Sequence, residues 1–190
     1  MSTTRTTFFC RAVLIALLFV CTALATPAQT RRDSLTVAEA DLVRDAQQLD
    51  LRTKIFIRAI ERRLLILQPT AAAFDQKQTG GKTNPAKKPE KDREKWGEPP
   101  IGTRSELVAD INKILDEAMS NLTEVHRRDA KSPLLAKSLE MLAAANKTFL
   151  TEFNRLLAQT TERSESVRLA EAIESSETII AANEQFKNRK

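Results

Sequence analysis

The stretch that decides the fold runs from Thr36 to Gln68 and reads TVAEADLVRDAQQLDLRTKIFIRAIERRLLILQ. It opens with Thr36-Val37-Ala38-Glu39, a capping box in which the threonine hydroxyl and the glutamate carboxylate satisfy free N–H groups of a first helical turn. Mostly apolar side chains then recur every three or four residues, and Pro69 ends the pattern. The members of this stripe are Leu35, Ala38, Leu42, Ala46, Leu49, Thr53, Phe56, Ile60, Leu64 and Leu67. We predict one continuous helix over 36–68, about 50 Å long.

Glycine and proline are concentrated in the segment that follows this helix. All 4 glycines of the 190-residue chain lie within 80–102, together with Pro85, Pro89, Pro99 and Pro100. Tyrosine is absent and aromatic residues make up 5% of the chain, which argues against a β-sandwich or barrel. The mixture of Lys, Gly and Pro predicts a flexible connection over 70–102. Phe74, Trp96 and Ile101, near its ends, are expected to dock on the helices.

Three further helices are predicted after this connection. The second begins with the capping box Thr103-Arg104-Ser105-Glu106 and ends near Arg128, and the third begins at Ser132 and Pro133. The fourth covers about 164–187. The apolar stripes are Leu107, Ile111, Ile114, Ala118, Leu122 and Val125 for the second helix, Leu135, Leu139, Leu142, Asn146, Phe149, Phe153 and Leu156 for the third, and Val167, Ala170, Ile173, Ile179, Ile180 and Phe186 for the fourth.

Four amphipathic helices of this length predict an all-α fold, an antiparallel four-helix bundle with a long disordered Lys/Pro/Gly-rich connection between helices 1 and 2. The short link 129–131 predicts that the second and third helices are antiparallel neighbours. The third stripe loses its phase at Thr160 and Arg163, which predicts a break there, although one long bent helix is an alternative. Helix 1 carries a net charge of +4 over 52–63 and helix 4 a net charge of −4 over 162–185. These opposite charges predict that the two helices are neighbours.

The N-terminal 28 residues have the pattern of a secretory signal peptide. Arg5 and Arg11 flank the start of a short apolar run, and small residues follow it, so we predict cleavage after Ala25 or Ala28. A retained membrane anchor, or a lipoprotein modified at Cys21, is a less favoured alternative, because the apolar run is short for a membrane span. We therefore expect a single helical domain over 29–190, in a periplasmic or secreted protein of bacterial origin.

The composition of this mature chain disfavours most kinds of chemistry. Both cysteines leave with the signal peptide, which excludes disulfides, thiol nucleophiles and zinc–cysteine sites. His126 is the only histidine, and no Glu-x-x-His pair of the di-iron bundles is present. Glu171, Glu174 and Glu177 share one side of helix 4, which we interpret as a solvated acidic face. We therefore assign no catalytic, cofactor or metal residue and expect a non-enzymatic protein.

Charge also disfavours nucleic acid as a partner. The whole chain has 30 basic and 25 acidic residues and a net charge of +5. Removing Arg5 and Arg11 with the leader lowers the net charge to +3. This balance is too close to neutral to predict nucleic-acid binding.

The strongest local feature is a second stripe on helix 1, roughly opposite its core stripe. Its members are Leu51, Ile55, Arg58, Arg62 and Leu65. Apolar residues on a face that should be solvated have two explanations: the 70–102 segment folds back over them, or they form a docking face for a protein partner or a second copy. We predict protein–protein interaction or scaffolding in the cell envelope through these five residues. An alternative is binding to anionic lipid or cell-wall polymer through the basic segment 82–95 and helix 1.

Overall fold

Each helix begins where local groups can satisfy the N–H groups of its first turn. In the computed structural model, which describes residues 33–68 and 95–188, both predicted capping boxes form: Glu39 Oε2 accepts from Thr36 N at 2.9 Å, and Glu106 Oε2 accepts from Thr103 N at 2.7 Å. The helices in these two ranges are α1 (Val37–Asp45), α2 (Leu49–Leu67), α3 (Arg104–Arg128), α4 (Pro133–Gln159) and α5 (Arg163–Asn188), with no strand among the residues described. The all-α prediction is confirmed.

The prediction of one continuous helix over 36–68 is wrong. The chain leaves the helical conformation at Ala46, which has φ −75° and ψ 98°, and α2 begins at Leu49. The Ala46 carbonyl accepts hydrogen bonds from Arg52, at 3.0 Å from Nη2 and 3.3 Å from Nε. Arg52 therefore satisfies an acceptor that the break would otherwise leave open. Helix α1 folds back on α2, but the one residue buried in α1 is Glu39, and Ala38 and Leu42 of the predicted stripe are only partly buried.

Helices α3 and α4 lie between α2 on one side and α5 on the other. Helix α2 packs on α3 and α4, and α5 packs on the same two helices, whereas α2 and α5 are not in contact. The prediction that the oppositely charged first and fourth helices are neighbours is therefore wrong. Charged groups of these two helices instead pair with other partners, since Glu39 of α1 pairs with Arg62 and Arg63 of α2 and Arg104 of α3 pairs with Glu165 of α5.

The two short links have different consequences. The predicted break between the third and fourth helices is confirmed, since α4 ends at Gln159 and α5 begins at Arg163. The resulting pair α4 and α5 forms the most extensive helix contact among the described residues. The link 129–132 brings α3 and α4 into slight contact only, so the prediction that they are close neighbours holds in part.

The core is built from the predicted stripes of α2, α3 and α4. Its fully buried side chains include Phe56, Ile60, Leu67, Leu107, Ile111, Ile114, Leu142, Phe153 and Leu156. Burial of one such side chain stabilises the fold by about 1.5–3 kcal/mol. Because most of the buried apolar side chains belong to these three stripes, the stripes supply most of the hydrophobic stabilisation of the fold. Asn146 is also buried, as its place in the α4 stripe predicts, and its amide Nδ2 donates to the Leu142 carbonyl at 2.9 Å.

The predicted apolar face of the last helix is correct only in part. Ile179 is fully buried, and Ile173, Ile180 and Phe186 are partly buried against the core, whereas Val167 is 51% exposed and Ala170 is also exposed. The residues of α5 that are buried are Glu165, Leu169, Ala172, Ser176, Ile179 and Asn183, at alternating spacings of four and three. Half of this stripe is polar, so a search for apolar periodicity does not find its centre.

Two predicted segments lie outside the described residues. These are the leader over 1–28 and the part of the connection over 69–94, which includes Phe74. The end of that connection, 95–102, has definite contacts: Trp96 lies against Arg62, as predicted, whereas the prediction that Ile101 docks is wrong because it is 85% exposed.

An ion pair between α2 and α4 gives a prediction about acid stability. Lys137 Nζ lies 2.7 Å from Asp50 Oδ2, and this hydrogen bond lowers the pKa of Asp50 below its ordinary value. Because the folded pKa is the lower one, the pair stabilises the fold above the unfolded pKa. The contribution is lost as the pH falls from about 4 through the lowered folded value.

We expect Lys137→Met to lower the free energy of unfolding at pH 7 and to flatten its decrease between about pH 5 and pH 2. Urea unfolding followed by circular dichroism at several pH values measures both effects. Lys147→Met, at an exposed position on the same helix, is the control and should leave the pH profile unchanged. If the free energy of unfolding of the two variants depends on pH in the same way, the ion pair between Asp50 and Lys137 does not contribute to acid stability.

Candidate interaction surface

The outer side of α2 carries four of the five residues predicted to bind a partner. Leu51 is 43% exposed and Leu65 is 39% exposed, while Ile55 and Arg58 are half-buried. Ile66, which the sequence stripe did not include, is 36% exposed. From Leu51 to Leu65 this side spans about 21 Å at 1.5 Å per residue. We call Leu51, Ile55, Arg58 and Leu65 the α2 outer face.

The charges on this face are modest. Arg58 Nη1 lies 3.0 Å from Glu61 Oε2, one turn further along the helix, and both side chains are about two-fifths exposed. An exposed pair of this kind contributes on the order of 0.5 kcal/mol. Lys54 is exposed between Leu51 and Ile55. The α2 outer face is therefore a mainly apolar strip with weak positive charge.

Arg62, the fifth predicted residue, lies at a junction between segments instead. Its Nη1 donates to Glu39 Oε1 at 2.7 Å and to the Trp96 carbonyl at 3.1 Å. Its Nη2 donates to the carbonyls of Gly97 at 3.1 Å and Glu98 at 2.9 Å. The guanidinium also lies 5.9 Å from the centre of the Trp96 ring, a cation–π distance. Four hydrogen bonds within the chain thus hold Arg62 between α1 and residues 96–98.

The neighbouring Arg63 is fully buried together with the carboxylate it binds. Its side chain is 1% exposed, and that of Glu39 is 0% exposed. Arg63 Nη2 lies 2.9 Å from Glu39 Oε2 and also donates to the Ser34 carbonyl, while Nη1 donates to the Ala59 carbonyl at 2.7 Å. Glu39, Arg62 and Arg63 form one connected group, which we call the Glu39 cluster. It joins α1, α2 and residues 96–98.

Sequence reasoning missed the Glu39 cluster because each member has a plausible local role. Glu39 completes a capping box, and Arg62 and Arg63 are two of several basic residues on a charged helix. One signal was present: Arg63 lies three residues after Ile60 and four before Leu67, on the core side of α2. A buried arginine requires a buried acceptor. Only the fold shows that this acceptor is Glu39, 24 residues earlier in the chain.

Gly97 allows residues 96–98 to approach α1. Its φ of +65° lies in the left-handed region, and a Cβ atom there would lie 2.8 Å from the Cβ of Ala38. A side chain at this position would therefore meet both backbone strain and a steric clash. Glycine is required here because Arg62 draws the carbonyls of 96–98 onto α1 and α2.

A second exposed apolar surface lies beside this junction. Val37 and Ile101 are 81% and 85% exposed, and with Pro99 and Pro100 they border a groove of about 500 Å³. Asp41 and Glu98 line the same groove. Sequence reasoning did not assign this surface, because Val37 lies in a capping box and Ile101 was expected to dock.

Other kinds of site are constrained by the described residues. Within 33–68 and 95–188, no three His, Cys, Asp or Glu side chains are grouped as metal ligands would be. Glu171, Glu174 and Glu177 are exposed, as expected of a solvated acidic face. In the same two ranges, no helix is long and apolar enough to span a membrane. Of the basic segment 82–95, on which the lipid or polymer hypothesis depends, the described part is Lys95 alone.

The Glu39 cluster predicts a large loss of stability when its only carboxylate is neutralised. Glu39→Gln keeps the size and capping ability of the side chain but leaves Arg63 buried without a counter-charge. We expect the free energy of unfolding to fall by about 3–5 kcal/mol, measured by urea denaturation. Asp41→Asn is the matched control on α1, because Asp41 pairs with Arg44 at an exposed site and should change stability by less than about 1 kcal/mol. Equal effects would contradict the role of the cluster.

Gly97 gives a second stability prediction. Gly97→Ala should lower the free energy of unfolding by at least about 1 kcal/mol, because alanine disfavours a positive φ and its Cβ would clash with Ala38. Hydrogen exchange should also show weaker protection of the α1 amides. Gly102→Ala, at an exposed position nearby, serves as the control. If Gly97→Ala is neutral or stabilising, the close approach to α1 is wrong.

Comparison with known proteins gives no further constraint. No protein-family model matches this chain, and neither a curated protein nor a solved structure is significantly similar to it.

Proposed function

We propose that this chain is an exported, non-enzymatic bacterial protein that acts in the cell envelope by binding another protein. The leader pattern over 1–28 supports export, with cleavage after Ala25 or Ala28 and a periplasmic or secreted mature form. The α2 outer face supports binding.

We further propose that α2 to α5 form a four-helix bundle, with α1 as an addition, in which helices that follow one another in the chain run in opposite directions. The packed pairs α2 with α4 and α3 with α5 then run in the same direction, as their contacts Asp50–Lys137 and Ser105–Arg168 indicate. Two contacts support opposite directions for α2 and α3: Arg52 near the start of α2 bonds Asn121 near the end of α3 at 2.9 Å, and Arg104 at the start of α3 donates to the Leu67 carbonyl at the end of α2 at 2.8 Å. The short links on either side of α4 support opposite directions for the helices that they join. In this bundle, α2 presents its outer side to solvent.

The single observation that carries the proposed function is the exposure of Leu51 and Leu65 on α2. Both are about two-fifths exposed, on a helix whose opposite side is fully buried. Apolar residues on the solvated side of a rigid helix can dock a partner without rearrangement of the backbone. The length of the strip, about 21 Å, corresponds to four turns of a partner helix.

The size of the strip favours a transient partner over a permanent dimer. A stable interface buries about 800 Å² on each partner, whereas the large apolar side chains of this face are each less than half exposed. Lys54 and Arg58 add weak positive charge. The fitting partner is therefore a protein surface that combines apolar side chains with a few carboxylates, bound reversibly.

Site-directed photo-crosslinking tests this proposal in the producing cell. A photoreactive amino acid at Leu51 should capture a defined partner, whereas the same group at Val167 on α5 should not. Val167 is the matched control site because it is 51% exposed and lies on α5, which does not contact α2. The captured protein is then purified, and its affinity for the chain is measured directly.

We expect the double variant Leu51→Glu and Leu65→Glu to weaken this affinity at least tenfold, since a charge must then be buried against an apolar surface. Val167→Glu should change it less than twofold. Circular dichroism checks that both variants stay folded. If sedimentation shows a stable dimer that the double variant disrupts, the α2 outer face binds a second copy of the chain. If Val37→Glu abolishes binding and the double variant does not, the partner binds at the groove beside Ile101. Either result contradicts the proposal.

A further inference from the structure

Helices α3 and α5 contact each other near both of their ends. At the starts of the two helices, Arg168 Nη1 donates to the Ser105 carbonyl at 2.7 Å, and Asn112 Nδ2 donates to the Arg168 carbonyl at 3.0 Å. At the other end, the rings of His126 and Phe186 meet edge to face with centroids 6.4 Å apart. A cleft of about 580 Å³ lies at this end, bordered by α3, α5 and the start of α4.

The walls of this cleft are apolar. They are formed by Met119, Leu122, Leu135, Leu139, Ala182 and Phe186. Such a space between the helices of a bundle is a usual place for a small molecule, and its volume falls within the range of about 300–1,000 Å³ for ligand pockets. Along α3 the wall extends from Met119 to His126, about 10 Å. An alkyl chain of medium length fits this distance better than a long one.

The polar groups of the cleft favour a negative charge. Among the described residues that line it there is no Asp or Glu, and Lys131 is the one lysine or arginine. His126 and Gln185 add further hydrogen-bonding groups. The two arginines after His126 are held by Glu124, at 2.9 Å from Arg127 and 2.6 Å from Arg128. Lys131 is therefore the cation of this region that faces the cleft.

The N-terminus of α4 lies beside Lys131. No side-chain hydrogen bond from Ser132 caps this helix, but Pro133 has no N–H and the Leu135 N–H donates to the Ser132 carbonyl at 3.1 Å. The first turn therefore contributes its dipole and not a set of open N–H groups. A helix N-terminus also favours a nearby anion. An anionic group near Lys131 would thus meet a positive side chain and a favourable helix dipole together.

We propose that this cleft binds a free medium-chain carboxylic acid. Its alkyl chain lies between the apolar walls of α3, α4 and α5, and its carboxylate lies at Lys131 near the start of α4. This site is separate from the α2 outer face and does not depend on the proposed partner. The ligand class follows from three properties of the cleft: an apolar interior, a lining without carboxylates and one lysine at the rim.

Calorimetric titration of the purified protein with decanoate tests the ligand class. Decan-1-ol and decyltrimethylammonium have an alkyl chain of nearly the same length with a neutral and a cationic head group. We expect saturable binding of decanoate and at least tenfold weaker binding of the cationic compound. Absence of decanoate binding, or equal affinity for all three compounds, would overturn the proposal.

Two adjacent alanines on α5 test the location. Ala182 lines the cleft, whereas Ala181 is exposed and does not. Ala182→Phe should fill the space and abolish decanoate binding, and Ala181→Phe should bind as the unmodified chain does. Circular dichroism checks the fold of both. Decanoate binding that survives in folded Ala182→Phe would place the ligand elsewhere and overturn the assignment.

Lys131→Met tests the head-group contact without filling the cleft. It removes the charge from an exposed position and keeps an apolar side chain of similar length. We expect decanoate affinity to fall at least fivefold and decan-1-ol affinity to stay within twofold. This variant keeps the proposal testable even if Ala182→Phe does not fold. An equal loss for both compounds, or no loss for decanoate, would show that Lys131 does not bind the carboxylate.

Discussion

A buried carboxylate between two guanidinium groups is the interaction on which the N-terminal half of this structure depends. Glu39 and Arg63 are both fully buried, and removing such groups from water is costly unless each finds an opposite charge and hydrogen bonds. The carboxylate accepts from Arg62, Arg63 and the Thr36 amide, so its oxygens are satisfied. This requirement brings together parts of the chain that lie far apart in sequence.

The turn between α1 and α2 follows from that requirement. Glu39 can reach Arg62 and Arg63 only if α1 folds back along α2, so the chain must leave the helical path between them. It does so at Ala46, where Arg52 bonds the freed carbonyl. Residues 96–98 are then drawn in by the remaining donors of Arg62, and Gly97 makes their close approach to Ala38 possible. One charge cluster thus organises a helix, a break and the end of a long connection.

The cluster also determines which surface is left for binding. The basic residues of α2 suggest a strongly positive helix, yet Arg62 and Arg63 share the one carboxylate of Glu39 within the chain and Arg58 pairs with Glu61. The outer side of α2 is left mainly apolar, around Leu51 and Leu65. A mainly apolar strip supports contact with a protein surface more than attachment to an anionic polymer. A separate apolar cleft near Lys131 is bordered by α3, α5 and the start of α4.

The sequence by itself determined the all-α class, the starts of α1, α3 and α4, the break after Gln159 and the buried stripes of α2, α3 and α4. Each of these depends on interactions between residues three or four positions apart, or on the local effect of a proline. Such interactions can be predicted from the sequence. The tertiary structure alone decided the break at Ala46, the half-polar buried stripe of α5, the separation of α2 from α5 and the burial of Glu39 with Arg63. These depend on which distant group satisfies a buried charge or packs against a polar stripe. The local sequence at each of these places is compatible with more than one structure. The structure that forms is selected by the burial of distant side chains and by the pairing of buried charges.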